Sequence, residues 1–324
     1  MWADPPIHNN KRRINMAPLI EARSQLAAKV EDVEGTAETL SATYAILASN
    51  IKFDPDVDME ELNLQSSSLS PFPAMAGGRL ARMTFQTPLK GSGAAGTPPE
   101  ISALFRACGL GETTVGGNSV TYAPASASIP SLTMAKYIDG KRYLMAGARG
   151  KYDILLNAGK AGKINWDFLG TAIAPSDTAL LSGISYQTSV AQPFQNASFS
   201  IDSYSAIIEE LMIGSGNKFE LRPDANSVQG YLSTIISERL MTLKINPEAV
   251  AVATHNFWTK WFAGTLVALT ATLGATAGNI CTITAPKVQY GKIGQGTRSG
   301  YAVDDIDATL RRSSGDDEIS IAFT

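Results

Sequence analysis

The sequence is poor in the side chains on which most enzymes and metal sites depend. Its 324 residues include two histidines, His8 and His255, and two cysteines, Cys108 and Cys281, and neither pair has the spacing of a metal or redox motif. A metal cluster built on imidazoles is therefore nearly excluded. No serine or cysteine lies in a recognisable nucleophile turn. We expect no catalytic residue, no cofactor and no bound metal, and hence not an enzyme.

Long apolar runs and clustered positive charge are also scarce. Lys and Arg number 27 against 30 Asp and Glu, and the formal net charge is -3. Tight nucleic-acid binding needs clustered basic side chains, but the one such cluster, Lys11 to Arg13, lies in a segment that we interpret as a solvated arm. No run approaches about 18 apolar residues, and the N-terminus does not resemble a secretory signal. With only two cysteines, these features favour folding in a reducing cytoplasm and no membrane partner.

What the sequence does have is period-two alternation of apolar and polar residues, which is typical of strands with one buried face. Leu80 to Phe85, Tyr152 to Leu156, Ile164 to Phe168, Met241 to Ile245 and Ile319 to Phe323 follow this pattern. Asp139-Gly140 between two such runs predicts a tight hairpin, because both residues tolerate the positive φ of a type I′ turn. The sequence therefore predicts a mainly β protein.

Two segments have helix signals, a proline near the start and a glycine at the end. They predict helices over about 98–109 and about 247–263. Arg82 to Phe85 precedes the first as Leu240 to Leu243 precedes the second, and 55 positions separate both Gly109 from Ile164 and Gly264 from Ile319. This pattern indicates a tandem duplication. We predict an extended arm over 1–19, a first domain over 20–180 and a second domain over 190–324.

The stretch from Asp56 to Gly78 lies between two predicted strands and is first acidic, then rich in Ser and Pro. It indicates a long loop or protruding hairpin. Connections of this length are uncommon in compact domains unless they contact something.

Three motifs have a functional alternative that we consider weaker. Gly91 to Gly96 matches the GxGxxG of dinucleotide sites, but Thr97-Pro98-Pro99 places the helix start after all three glycines. His255, beside Phe257 and Trp258, is better explained as a structural histidine than as a general base. The acidic clusters Asp304 to Asp307 and Asp316 to Glu318 lack the spacing of a calcium loop.

Several segments in combination resemble the tail tube proteins of long-tailed (siphovirus-type) bacteriophages. The likeness covers most of the chain from about Glu21 onward. The segments that carry it are Gly96 to Gly109, Tyr137 to Lys141 with Gly147 to Gly150, Leu221 to Asn226, Asn246 to Ala249 with Ala253 to Trp258, and Asp316 to Thr324.

The resemblance implies two tandem tail-tube-like domains, each of packed antiparallel β-sheets, sandwich-like or barrel-like, with one flanking α-helix. Subunits of that family join edge to edge into rings with a β-barrel lumen, and the rings stack head to tail into a tube for phage DNA. A ring of about six domains would need three chains of this kind, a pseudo-hexameric trimer. The mild acidity suits a channel through which DNA slides without being bound.

The resemblance also implies partners and a location. The partners are other copies of the chain, a tape measure protein, a tail terminator and a distal tail protein, and the location is the virion tail, assembled in the bacterial host cytoplasm. We predict that the 56–78 stretch contacts the adjacent ring. The residues proposed for that contact are Asp56, Asp58, Glu60, Glu61, Phe72 and Met75.

Three other functions remain open at this point. A distal tail or tail-terminator protein would form single rings. An outer-membrane porin also has alternating strands and an aromatic residue near its end, here Phe323, but it needs an export signal. A β-rich enzyme has no candidate site in this sequence.

Overall fold

The computed structural model describes residues 18–324, which form a mainly β fold with two short helices. The prediction of a mainly β protein is confirmed. The arm predicted over 1–19 lies outside the described residues, except for Pro18 and Leu19. No helix among residues 18–324 is long and apolar enough to cross a membrane.

Residues 18–177, the first part of the chain, contain nine strands and one α-helix. They are β1 (Ser24–Val30), β2 (Ala45–Ile46), β3 (Ser49–Glu60), β4 (Met75–Pro88), α1 (Ser102–Ala107), β5 (Leu110–Val115), β6 (Ser119–Pro124), β7 (Leu132–Ile138), β8 (Lys141–Asn157) and β9 (Lys163–Asp177).

The second part contains nine further strands and the other helix. They are β10 (Ser198–Ile201), β11 (Glu210–Gly214), β12 (Asn217–Pro223), β13 (Tyr231–Arg239), β14 (Thr242–Ile245), α2 (Phe257–Phe262), β15 (Leu266–Leu273), β16 (Cys281–Arg298), β17 (Tyr301–Leu310) and β18 (Ser320–Phe323).

The predicted alternation places one face of each long strand in the core. On β9, Ile164, Trp166 and Phe168 are buried, while the residues between them are partly exposed. The Asp139-Gly140 hairpin is confirmed: Ile138 pairs with Lys141, and both turn residues have positive φ. The mirror-image turn matches the right-handed twist of β7 and β8, which is why it joins them without splaying.

All but two of the strands belong to one antiparallel sheet that continues from the first part of the chain into the second. In the first part the spatial order is β3-β4-β9-β8-β7-β1-β2, and in the second it is β11-β14-β17-β16-β15-β10. β8 pairs with β11, and β18 pairs with both β16 and β6. β12 and β13 pair only with each other.

The main core contains an aromatic cluster around Phe105 of α1. The ring of Phe105 lies 4.9 Å from that of Tyr122, 5.6 Å from that of Tyr152 and 5.1 Å from that of Trp166, measured between centroids. Trp166 donates its indole N–H to the Thr87 hydroxyl at 2.8 Å. A buried indole keeps a hydrogen-bond partner in this way, so the cluster combines packing with a satisfied polar group.

Both helices are shorter than predicted. The second begins only after Asn256, whose side chain accepts a hydrogen bond from the Thr259 amide at 2.9 Å. Pro247 and Glu248, predicted as its first turn, instead bond backbone to backbone with the start of β17. Asn246 accepts from the amides of Glu209 and Glu210, so strand contacts from distant sequence outcompete the local helix signal.

The first helix likewise begins after a turn, not at its prolines. Ser102 donates its amide to the Pro99 carbonyl at 2.9 Å, and regular helix spans six residues. Gly109, with φ +83°, ends the segment as predicted. The expectation of one flanking helix in each part of the chain is met, with bounds corrected to 102–107 and 257–262.

The spacing of 55 positions that suggested the repeat joins strands that are not equivalent. Ile164 lies on β9, between β4 and β8, whereas the Ile319 to Phe323 segment forms β18, between β16 and β6. The hairpin of β5 and β6, which follows α1 but has no counterpart after α2, accounts for this mismatch. The strands of residues 18–324 do not close into a barrel within one chain. The division into two domains stays a prediction.

Candidate assembly interface

The two parts of the chain are joined by the edges of β8 and β11. Five residue pairs form this antiparallel ladder, from Glu210 opposite Asn157 to Gly214 opposite Asp153. Ile213 opposite Ile154 and Leu211 opposite Leu156 are all fully buried. Pairing of strand edges supplies backbone hydrogen bonds, and the buried pairs fix the register.

The six strands common to both parts have the same spatial order. For comparison, the six strands of each part are numbered 1 to 6 along the chain. In the first part these are β1, β3, β4, β7, β8 and β9, and across the sheet they lie in the order 2-3-6-5-4-1. In the second part they are β10, β11, β14, β15, β16 and β17, and they lie in the same order. The helix lies between the third and fourth strands in both sets. β11 therefore corresponds to β3, and β16 to β8.

A pair of buried tyrosines follows the same correspondence. Tyr152 on β8 is opposite Trp166 of β9, and Tyr290 on β16 is opposite Ala308 of β17. Both hydroxyl groups are buried and have no hydrogen-bond partner within residues 18–324, and burial raises the pKa of each. They mark equivalent positions in the two sets of strands.

Two of the open strand edges in the described part of the chain belong to the long strands β3 and β16. β3 pairs only with β4, along its whole length. β16 pairs with β15 only as far as Gln289, so beyond that residue its side away from β17 is open. Open edges of this length are templates for pairing with another chain.

A cleft of about 770 Å³ lies beside the start of β3. It separates Glu21 and Ser24, at the start of the described chain, from Ser49 and Ile51. Lys136, itself buried, donates from its amine to the Ile51 carbonyl and to the Glu21 carboxylate, at 2.6 Å in both cases. The β3 edge is thus positioned by a buried charge and has free space beside it.

The stretch predicted as a loop or protruding hairpin forms a hairpin, which we call the first arm (49–88). The first arm consists of β3, β4 and the connection 61–74. Of the residues proposed for a contact between rings, Asp56, Asp58, Glu60 and Met75 lie on its strands, and Glu61 and Phe72 lie in the connection. Whether they contact another ring stays a prediction.

The surface of the first arm combines carboxylates with exposed apolar side chains. Exposed apolar residues not singled out from the sequence are Val57, Met59, Leu62, Leu64 and Leu69. Met75 is 52% exposed and Leu69 is fully exposed. A concentration of apolar side chains at the end of a hairpin is typical of an interaction surface.

A second hairpin, which sequence reasoning missed, occupies the equivalent place in the second part of the chain. This second arm (210–245) has β11 and β12 on one side and β13 and β14 on the other. Its end reaches the first arm, where the Arg79 amide donates to the Gln229 carbonyl at 2.9 Å. The polar turn cluster from Pro223 to Ser227 was the available signal.

A partly buried ion pair, in which Arg149 is buried and Glu34 is partly exposed, fastens the second arm to β8. Arg149 donates to Glu34 Oε1 and to the Thr234 carbonyl of β13, both at 2.6 Å, and twice to the Ile129 carbonyl. Glu34 also accepts from Ser233 at 2.6 Å. Burial alone would raise the pKa of Glu34, but hydrogen bonds from Ser233 and Arg149 outweigh it and lower the pKa.

The glycine-rich motif has a structural contact in this fold. The Gly91 amide donates to Asn279 Oδ1 at 2.8 Å, and the Gly93 amide donates to the Gly278 carbonyl at 3.0 Å. A Cβ added to Gly91 would lie 2.2 Å from the Gly278 carbonyl oxygen. The amides that a phosphate would need are engaged by the second part of the chain.

His255 lies within an aromatic cluster. Its ring stacks on that of Tyr204 at 4.6 Å and meets that of Phe257 edge-on at 4.4 Å. Burial lowers its pKa, and nearby Asp202 opposes this effect.

The acidic residues near the end of the chain have partners within it. Asp316 accepts from Ser126 and Arg239, and Asp317 accepts from the backbone of a turn at Ser313 and Ser314. Among residues 18–324, no three His, Cys, Asp or Glu side chains converge in a way that could hold a metal ion.

No protein-family model matches the chain, and no curated protein has significant sequence similarity to it.

Proposed function

We propose that this chain is a tail tube subunit of a long-tailed bacteriophage, a structural protein and not an enzyme. The observation that carries this proposal is that the two parts of the chain share one strand order and are joined edge to edge by β8 and β11. A chain that already pairs one set of strands with the next can continue the pattern with further copies.

The number of chains is part of the proposal. The repeated strand order supports two tube-like units per chain, and a ring of about six units would then take three chains. The contact is heterologous, which is also the type that stacks rings head to tail. The sequence segments that resemble tail tube proteins are the second support for this function.

The face of the sheet opposite the core has the character that a DNA channel needs. Across β3, β4, β9 and β8 it carries two carboxylates and two basic groups. Asp54 lies opposite Arg82, and Asp167 pairs with both Arg82 and Lys151, with its Oδ2 3.4 Å from the lysine amine. Lys244 and Asp307 pair across β14 and β17 at 3.3 Å. Balanced charge lets a duplex slide, whereas an unpaired basic wall would retain it.

We assign the first arm to the contact between rings, with its acidic and exposed apolar residues as the contact surface. The tape measure protein, the tail terminator and the distal tail protein are the further partners, in a virion tail assembled in the host cytoplasm. None of these partners needs a cofactor or a metal in the chain.

Negative-stain electron microscopy of the concentrated protein tests this function. Hollow tubes with threefold symmetry in end-on views are expected. Tubes with sixfold symmetry would support the function but refute the idea that each chain supplies two units. Single rings would favour a terminator or distal tail protein. Particles without a channel would refute the proposal.

The role of the first arm has its own test. Replacing 61–74 by Asn-Gly keeps the β3–β4 ladder and should give folded rings that do not stack. The matched control keeps the length of the connection and changes only Ser66, Ser67 and Ser68 to glycine. Tubes of normal length from the shortened variant would refute this role.

A further inference from the structure

The pairing of β8 with β11 leaves two edges that match each other. β11 corresponds to β3, and β8 corresponds to β16. Among residues 18–324, the β8 edge is paired with the β11 edge, whereas the β3 edge and the distal edge of β16 have no partner strand. We infer that β3 of one copy pairs antiparallel with β16 of a second copy, in the manner of β11 with β8.

The equivalent residues fix the register on the β3 side. Thr84 of β4 and Thr242 of β14 occupy corresponding positions, one residue before Phe85 and Leu243. Lys52 lies opposite Thr84, and Gly214 lies opposite Thr242. Ile51 is therefore the counterpart of Ile213, and both isoleucines are buried.

Tyr290 fixes the register on the β16 side. From its counterpart Tyr152, the next buried position along β8 is Ile154. β16 has a bulge between Tyr290 and Lys292, and its next buried position is Ile293. Ile213 lies opposite Ile154 within the chain, so Ile51 lies opposite Ile293 between chains.

The shape of both edges suits this pairing. Gly291, Gly294 and Gly296 give the β16 edge little side-chain bulk, and the cleft beside Ser49 and Ile51 leaves room for an incoming strand. β16 extends along β17 to Arg298, so its open edge is long enough for a five-pair ladder like that of β8 and β11.

One cross-strand pair in this register is unfavourable. Lys52 falls opposite Lys292, and like charges directly opposite destabilise an antiparallel pair. Lys52→Gln should therefore strengthen self-association. Lys244→Gln, a lysine of the same sheet away from this edge, is the matched control and should not strengthen it.

The edge pairing stands without the tail tube function; only the count of three chains per ring rests on the proposed function. The β3 and β16 edges belong to different parts of the chain, so the contact between copies is head-to-tail. It closes into a ring when one copy is rotated relative to the next as the two parts of the chain are rotated about the β8–β11 ladder.

Disulfide trapping tests the register. Lys52 and Lys292 are exposed and fall opposite each other, so a Lys52→Cys chain mixed with a Lys292→Cys chain should form a covalent dimer on mild oxidation. Opposed Cα atoms in an antiparallel pair are about 4.5–5.5 Å apart, within the range of a disulfide. The natural cysteines are buried and do not compete.

The matched control replaces Lys292→Cys by Asp305→Cys, an exposed position on β17 away from the open edge. The expected result is about tenfold more covalent dimer from Lys52 with Lys292 than from the control pair, since a disulfide requires Cα atoms within roughly 7 Å. Equal yields, or a chain that stays monomeric at high concentration, would overturn the pairing. Trapped dimers without tubes would support the β3–β16 pairing and refute the tube function. Tubes without trapped dimers would support the tube function and refute the pairing.

Discussion

Removing Arg149 should destabilise the folded chain far more than removing an arginine from a surface pair. Arg149→Ala deletes four hydrogen bonds, two to the Ile129 carbonyl and one each to Thr234 and Glu34, in a side chain that is 10% exposed. Loss of one partner of a buried ion pair costs about 3–5 kcal/mol. Glu34 keeps Ser233 and Arg222 and is partly exposed, so we expect about 3 kcal/mol, the lower end of that range.

Urea unfolding followed by intrinsic tryptophan fluorescence, to which buried Trp166 contributes, measures this loss. Arg82→Ala is the control, because Arg82 also pairs with a carboxylate, that of Asp167, but its side chain is 55% exposed. Exposed pairs contribute at most about 1 kcal/mol. If Arg149→Ala costs no more than Arg82→Ala, the second arm is not held by this ion pair.

The same ion pair predicts a pH dependence. Because the folded pKa of Glu34 is below that of the unfolded chain, the unfolded state binds more protons in acid. The contribution is fully present above the ordinary glutamate pKa of about 4.3 and is lost as pH falls through the folded value. The difference in unfolding free energy between the wild type and Arg149→Ala should therefore shrink towards pH ~3; a constant difference would contradict the role assigned to Glu34.

Three further predictions concern single sites. Asn256→Ala removes the cap of α2 and should cost about 1 kcal/mol in urea unfolding, whereas Asn256→Asp should restore most of it. Gly140→Ala should lower Tm, because its φ of +106° is strained for alanine by about 1–2 kcal/mol, while Gly140→Asn should lower it less. Burial raises the pKa of Cys108 and raises that of Cys281 to about 12, so a thiol reagent should label both only after unfolding; labelling of the native chain at neutral pH would refute this.

Local signals in the sequence were sufficient for several of the strands and for one two-residue hairpin. The alternation from Ile164 to Phe168 indicates that one face of the strand is buried. Asp139-Gly140 indicates a turn with positive φ at both residues, a conformation that few other residues adopt. Helix bounds were predicted less well. Pro247 suits a first helical turn by itself, but its carbonyl accepts the Asp304 amide from the start of β17, a contact that no local pattern records.

The candidate interface depends on pairings between distant residues, and this explains why the sequence did not reveal it. Tyr152 and Tyr290 are equivalent in the fold, but 138 positions separate them and their neighbours differ. A bulge in β16 also shifts the alternation between Tyr290 and Ile293, so a simple count of residues loses the correspondence. The sheet order, and not the sequence spacing, identifies the open edges.

The two parts of the chain are joined more extensively than two chains would be through β3 and β16. Within the chain, the β8–β11 ladder is reinforced by β6, which pairs with β18 from Ile321 opposite Tyr122 to Phe323 opposite Val120, and by Arg149. Since α2 leads directly into β15, no counterpart of the β5–β6 hairpin is present to reinforce a contact between chains. Assemblies should therefore separate into whole folded chains at urea concentrations below those that expose Trp166. Sedimentation and fluorescence on one urea series measure both events, and a single coincident transition would show that the contact between chains is no weaker than the one within them.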